Sequence, residues 1–319
     1  MRLSRDFYAR VAANDELKPL FPGKSLRCAT EEFAAFLIQF LDGDPDQTQY
    51  RWWLSLRESH ARFQISERQR AAWLSLMNET VSAVVQESET RRALQDFFEV
   101  ASAYIVSNSD GVPEHGELKQ RWRRQQVLDQ VIADIANNRD AEAIALARQF
   151  ASRLDVFVGI LARMMETGRE PFVQFVLEGV RNDNQLTKGR FNGRTLLHFA
   201  AGCASLPVVQ MLLELGVDPD VLDSGAHTPL YRVASTRNNE MGAMIVVELV
   251  RAGAIVDHCG GVNRATALHQ AARFGDVQVA RALLDAGANP KARDKKGLTP
   301  LDRARNCRRQ AVAELLASR

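Results

Sequence analysis

The sequence predicts an all-α protein in two parts, a small helical domain followed by a connector and a solenoid of stacked helix pairs. Two observations predict it. Helical periodicity without any alternating strand pattern runs through the first 106 residues. A short segment then recurs four times between residue 192 and the C-terminus.

In the first domain, Phe33, Phe36, Leu37, Phe40 and Leu41 share one helical face. Trp73, Leu76, Met77 and Thr80 share another, and Leu94, Phe97, Phe98 and Ala101 a third, so the expected core is unusually aromatic. The tandem Trp52-Trp53 is expected to pack in the same core. This domain is assigned 1–107, and the polar, breaker-rich stretch Ser107-Asn108-Ser109-Asp110-Gly111-Val112-Pro113 marks a join over 108–116. Residues 117–190 read as a helical connector. Val127, Leu128, Val131, Ile132 and Ile135 line one face, a second helix runs Ala141 to Leu154 after the Asn137-Asn138 break, and Phe172 to Leu177 looks like the second helix of a degenerate first repeat. The cations Lys119, Arg121, Arg123 and Arg124 around Trp122 read as a solvated helix face rather than a phosphate site.

Residues 191–319 hold the repeats. Gly193-Arg194-Thr195-Leu196-Leu197-His198 returns as Ala226-His227-Thr228-Pro229-Leu230-Tyr231, Arg264-Ala265-Thr266-Ala267-Leu268-His269 and Gly297-Leu298-Thr299-Pro300-Leu301-Asp302. The threonines are 33, 38 and 33 residues apart, a period of stacked helical units. Each threonine suits a helix start, with proline at the first helical position in two copies. The second helices carry Val208-Val209 with Leu212-Leu213, Val246-Val247 with Leu249-Val250, and Val279-Ala280 with Leu283-Leu284. Gly216, Gly253 and Gly287 end them, and Asp218, Asp257 and Asn289 open the next turn. The unit starting at Thr228 is longer than its neighbours, with an insertion around Ser235 to Met241 that serves as a tolerated loop or a binding element.

These starts and ends resemble the ankyrin repeat over about 190 to 319, about four repeats in all. The resemblance implies a protein-binding surface whose partner the sequence does not name. It also implies that His198 and His269 fix turns by hydrogen bonding instead of binding metal. Arg303, Arg305, Arg308 and Arg309 at the end of the array suit a polar terminal cap.

Composition excludes several classes. Lys and Arg number 41 against 39 Asp and Glu, and a formal charge of +2 argues neither for nor against an acidic partner, so no nucleic-acid partner is expected on that ground. No apolar run approaches membrane-spanning length, and Met1-Arg2-Leu3-Ser4-Arg5-Asp6 opens no secretory signal. Cys28, Cys203, Cys259 and Cys307 show neither paired nor metal-ligand spacing. A cytoplasmic protein is expected, with no membrane partner.

The first domain holds one histidine, His60, within Ser55-Leu56-Arg57-Glu58-Ser59-His60-Ala61-Arg62-Phe63. Taken with Phe7-Tyr8-Ala9-Arg10-Val11, Leu20-Phe21-Pro22, Phe36-Leu37-Ile38-Gln39-Phe40 and Ala72-Trp73-Leu74-Ser75-Leu76-Met77, it resembles the truncated haemoglobins, the second group above all, over about 1 to 107. The resemblance implies a two-over-two helical sandwich holding haem (iron protoporphyrin IX), with His60 as the axial iron ligand. It places Tyr8 facing the gas ligand, Trp73 in the pocket, Phe21 against the porphyrin, and Ala29 and Phe33 on the distal helix.

The chemistry asks for these residue types. Haem is a flat apolar plate, and its iron takes a neutral imidazole nitrogen. An open sixth position binds a diatomic gas, dioxygen, nitric oxide or carbon monoxide. The Tyr8 hydroxyl and Trp73 indole are the donors able to hold it, whereas Ala29 cannot donate. Arg57 and Arg62 flank His60 as candidate partners for the haem propionates. Two departures stand out: the leading helix is short, with Tyr8 eight residues from the start, and Phe33 is bulkier than the aliphatic residue expected there. Three functions remain open on sequence: a gas-binding sensor or adaptor, a nitric oxide dioxygenase or peroxidase-like enzyme with an external reductant, and a haem-free scaffold.

Overall fold

Where apolar residues recur at helical spacing the chain forms helices, and in the first unit they pair. The computed structural model describes residues 2–21, 26–41, 54–61, 63–107, 109, 111–236 and 239–318. Two compact units divide at Asn137/Asn138. Among the described residues there are seventeen α-helices and only two short strands, in keeping with the all-α expectation.

The first unit comprises α1 (Arg2–Ala12), α2 (Arg27–Phe40), α3 (Leu56–His60), α4 (Glu67–Val84), α5 (Ser88–Ser107) and α6 (Gly116–Ala136), with a 3-10 turn at Lys18–Leu20. Helix α1 packs on α2 and on α4, and α4 packs on α5, which sets one helix pair over another. Phe7, Met77, Val81, Phe97 and Phe98 fill the space between them with at most 2% exposure. Burying five such side chains stabilises the fold by about 1.5–3 kcal/mol each. Helix α4 begins at a capping box in which Ser66 and Gln69 satisfy each other's backbone N–H. Leu41, expected on the buried face of α2, is the residue on which that helix ends, and it stands 42% exposed.

Helix α6, expected in the connector, completes the core of the first unit. Trp122 is fully buried, edge-on to Phe97 at 5.8 Å and to Tyr104 at 5.1 Å. Its indole donates to the Gly111 carbonyl at 2.9 Å, so the breaker-rich join is tied back onto the helix behind it. Arg121 donates to the Phe40 carbonyl at 3.2 Å instead of standing on a purely solvated face. Sequence periodicity registers α6 as amphipathic but carries no signal of which core its apolar face enters. The tandem Trp52-Trp53 lies outside the described residues.

In the second unit Asn138 adopts a left-handed conformation, φ 58°, at the expected break. The helix foreseen from Ala141 to Leu154 is interrupted. Helix α7 (Asp140–Ala147) tightens into a 3-10 turn at Arg148–Phe150 that swings Phe150 into the core, and α8 (Leu154–Met165) starts afresh. Helix α8 packs on α9 (Glu170–Asn182), and this pair stacks on the first regular repeat as a repeat would.

The repeats then alternate inner and outer helices: α10 (Leu196–Gly202) and α11 (Leu206–Glu214), α12 (Pro229–Val233) and α13 (Asn239–Arg251), α14 (Ala267–Phe274) and α15 (Val277–Asp285), α16 (Pro300–Asn306) and α17 (Gln310–Ala317). Inner helices stack on inner and outer on outer. All four threonines are N-caps in extended conformation, as the sequence predicts. Helix α11 runs out into Gly216 at φ 78°, a left-handed turn that an L side chain would strain. The insertion near Ser235 to Met241 falls partly outside the described residues, although Thr236 donates to the Gly202 carbonyl at 3.1 Å.

Candidate functional site

The site is built around a five-residue helix. Ser55 caps α3 by accepting from the Glu58 N–H at 3.0 Å, and buried Leu56 anchors its first turn. That places His60 in the last turn, where its Nδ1 lies 2.8 Å from the Leu56 carbonyl and 2.9 Å from Ser59 Oγ. A carbonyl only accepts, so Nδ1 carries the proton and the lone pair of the neutral ring sits on Nε2. Metal-ligating imidazoles are oriented in this way, by a second bond from the nitrogen that does not bind the metal.

An arc of rings runs from that imidazole to the helix pairs. His60 lies 6.3 Å from Phe63, Phe63 lies 6.4 Å from Phe21, and Phe21 meets Tyr8 edge-on at 5.6 Å. Tyr8 is 5.2 Å from Phe7 and 6.2 Å from Phe33, Phe7 is 5.3 Å from Trp73, and Trp73 is 5.9 Å from Phe98. The structure thus brings Tyr8, Phe21, Phe33 and Trp73 into one cluster and links His60 to it through Phe63. The size of Phe33 is absorbed by contact with Phe98 at 6.1 Å.

Two donors stand in this apolar setting. Burial, and then the charge of Glu32, push the Tyr8 hydroxyl well above its ordinary value, so it stays protonated at any physiological pH. Among the described residues neither that hydroxyl nor the Trp73 indole N–H is hydrogen-bonded to another residue. Tyr8 lines the cavity described next, and Trp73 does not.

A cavity of about 430 Å³ opens beside Tyr8 and Phe21, within the range of small-molecule and cofactor sites. Ala9, Ala12, Leu26 and Thr30 line it, and Arg5, Lys18 and Arg27 give it a cationic rim. Ala29 sits half-buried in the first turn of α2, next to Thr30. Arg57 is directed elsewhere: its guanidinium lies over the Tyr104 ring at 3.8 Å. Arg62 lies outside the described residues. Sequence reasoning passed over Phe63 and the three rim cations. Arg5, Tyr8, Ala9 and Ala12 do follow the i, i+3, i+4, i+7 spacing of one helix face, which was the available signal.

The repeat histidines do what their motif implies. His198 Nδ1 bonds Thr195 Oγ1 at 2.8 Å and its Nε2 reaches the His227 carbonyl in the next repeat at 3.0 Å. His269 repeats this with Thr266 and the Leu298 carbonyl. Burial lowers the His198 pKa to about 4, so it serves as a neutral strut between repeats. Asp223 gathers His227 and Arg232, and Asp294 gathers Arg303, in the same register of two repeats. Among the described residues no group of three or more His, Cys, Asp or Glu could hold a metal ion. Exposed Met241, Met244 and Val247 lie at three-residue spacing along α13, and Ile255 and Val262 stand exposed in the following hairpin. No described helix is long and apolar enough to cross a membrane.

The family model for bacterial-like globins matches residues 1–106, and two models of ankyrin repeats match 180–246 and 242–319. The chain is 34% identical over 104 residues to the group 2 truncated hemoglobin YjbI of Bacillus subtilis (strain 168), a match that takes in 33% of this chain and 78% of that protein. It is 30% identical over 129 residues to ankyrin repeat and SOCS box protein 3 of Bos taurus, covering 40% of this chain and 24% of the other. It is 42% identical over 79 residues to potassium channel AKT3 of Oryza sativa subsp. japonica, covering 25% and 8%. The chain therefore spans a quarter or less of either of these last two relatives, while it spans most of the globin one.

Proposed function

The chain belongs to the bacterial-like globins, as a truncated haemoglobin over residues 1–106 with ankyrin repeats behind it, and from that premise we propose that its first unit binds haem and a diatomic gas while the repeats dock a protein. One observation carries the reading: His60 Nδ1 donates to the Leu56 carbonyl, which leaves the lone pair of the neutral ring on Nε2, the tautomer an axial ligand uses. The residue set supports the group: His60 offers one neutral imidazole, Phe21, Phe33 and Phe63 offer apolar faces, and Arg5, Lys18 and Arg27 offer positive charge for propionates on the cavity beside Tyr8 and Phe21, although His60, Phe33, Phe63 and Trp73 are not among the residues that line that cavity.

Bound haem supplies an iron centre able to take a diatomic ligand. The protein's own share is to orient that ligand and to exclude water. Tyr8, protonated and set among rings, donates to a ligand that gains electron density, and Trp73 offers a second donor. A gas held by two donors leaves slowly, which suits sensing or chemistry better than carriage. The exposed apolar side chains on α13 and its hairpin offer the repeats a docking area. The proposal places the protein among gas sensors or adaptors of the cell interior.

Absorbance titration tests it. The full chain is expected to give a strong Soret band saturating at one haem per chain, and His60→Ala is expected to lose it. A flat titration of the native chain would leave a haem-free scaffold as the reading.

A further inference from the structure

We infer that Asp129 on α6 is the positioning residue of the axial-histidine helix, so that the haem site is completed by a helix lying beyond the globin-family segment. The inference rests on the haem reading above for its consequence, and on haem-independent geometry for its premise.

Helix α3 has five residues and one side-chain cap, too little to hold its own orientation, since helices this short are not stable alone. Its start is held from outside. The Leu56 N–H donates to Asp129 Oδ1 at 2.8 Å across 73 residues of chain. The Gln125 amide, one turn earlier on α6, donates to the Leu54 carbonyl at 2.9 Å and to the same Asp129 oxygen at 3.0 Å. The Leu56 N–H, at the first position of α3, has no partner within the helix, and the Asp129 carboxylate satisfies it.

The surroundings make this a built contact. Asp129 is 4% exposed, Gln125 8% and Leu56 8%. Burial raises the Asp129 pKa, and the bonds from Gln125 and Leu56 draw it back down. Beside this contact the Arg57 guanidinium of α3 lies over the Tyr104 ring of α5, so α3 is held to α5 as well as to α6. The Leu56 carbonyl fixes His60 Nδ1, and the Leu56 N–H is fixed by Asp129. One residue thus transmits the position of α6 to the imidazole. The family match ends at residue 106, which leaves Asp129 wholly outside it.

The experiment uses the full chain with Asp129→Ala, Asp129→Asn and Gln125→Leu. In the haem-free proteins, amide hydrogen exchange is read at Leu56 and, as a folding control, along α4. Asp129→Ala is expected to speed exchange at Leu56 roughly tenfold while α4 keeps its rates, because a hydrogen bond to a charged acceptor is lost. Asn keeps an acceptor oxygen and is expected to restore protection. Gln125→Leu, which leaves Asp129 in place, is expected to give an intermediate rate and stands in should the alanine variant fail to fold. In the haem-loaded proteins, transfer of haem to excess apomyoglobin is expected to run several-fold faster for Asp129→Ala and at the native rate for Asp129→Asn. Unchanged exchange at Leu56 in Asp129→Ala, or in Gln125→Leu in its place, overturns the anchor. Altered exchange with unchanged haem transfer overturns its bearing on the haem site. A native chain that takes up no haem fails the parent reading and leaves the exchange result to decide the anchor by itself.

Discussion

The two units of this chain are held by bonds of very different span. In the repeats, the deciding contacts are local or reach one unit along: Thr195 to His198, His198 to His227, Arg303 to Asp294. In the globin unit they cross the chain, from Leu56 to Asp129, from Gln125 to Leu54 and from Arg121 to Phe40, each more than 70 residues apart. A stack of near-identical units writes its fold into every period. A single core writes its fold into pairings that no local window contains.

That contrast can be broken or sharpened by substitution. The largest effect is expected at Trp122, which sits in the globin core although it lies past the join. Trp122→Ala is expected to destabilise the first unit by about 3–5 kcal/mol and leave the second unchanged, as read by two separate thermal transitions. If both transitions moved together, the units would not be independent. If neither moved, α6 would belong to neither core.

The repeats are expected to answer to acid. His198 has its pKa lowered to about 4 by burial, against an ordinary value near 6.5, so the unfolded chain takes up a proton well before the folded one does. The stability this group contributes is complete above pH 6.5 and is lost as pH falls toward 4, by about 3 kcal/mol for a shift of this size. His269, shifted in the same direction, adds to the loss. Asp223 follows at lower pH, since the bonds from His227 and Arg232 hold its carboxyl below the ordinary range despite burial. Denaturant titrations at pH 7 and pH 4.5 check this, and His198→Gln is expected to flatten the difference for the second unit.

A smaller effect is expected at Tyr8. Removing its hydroxyl in Tyr8→Phe deletes one donor of about 1 kcal/mol, which speeds gas release roughly fivefold in flash photolysis without disturbing the rings around it. The smallest concerns a single cap. Thr299 accepts from the Asp302 N–H at 3.2 Å, so Thr299→Ala is expected to cost about 1 kcal/mol and to fray the C-terminal repeat alone in hydrogen exchange.

The same contrast explains what the sequence made legible. Thr195, Thr228, Thr266 and Thr299 announced helix starts because a cap is satisfied within three residues, and Gly216 announced an end because its backbone conformation excludes most side chains. Tyr8, Phe21, Phe33 and Trp73 were picked out through family resemblance, and the structure gathers them in one cluster. Arg57 is near His60 along the chain, a poor guide to direction at the first turn of a short helix, and its guanidinium turns onto Tyr104. The rim cations Arg5, Lys18 and Arg27 come from three separate segments, so only folding shows them together. Asp129 carried no motif at all, since a single buried aspartate on an amphipathic helix looks like any solvated one until its partner is seen.

The account stands on the imidazole of His60 offering Nε2 to iron. Resonance Raman spectroscopy of the ferrous, ligand-free full chain measures this bond directly. The expected result is an iron–imidazole stretching band that shifts when the histidines carry nitrogen-15 and disappears in His60→Ala. A band that survives the substitution, or none in the native protein, would contradict it.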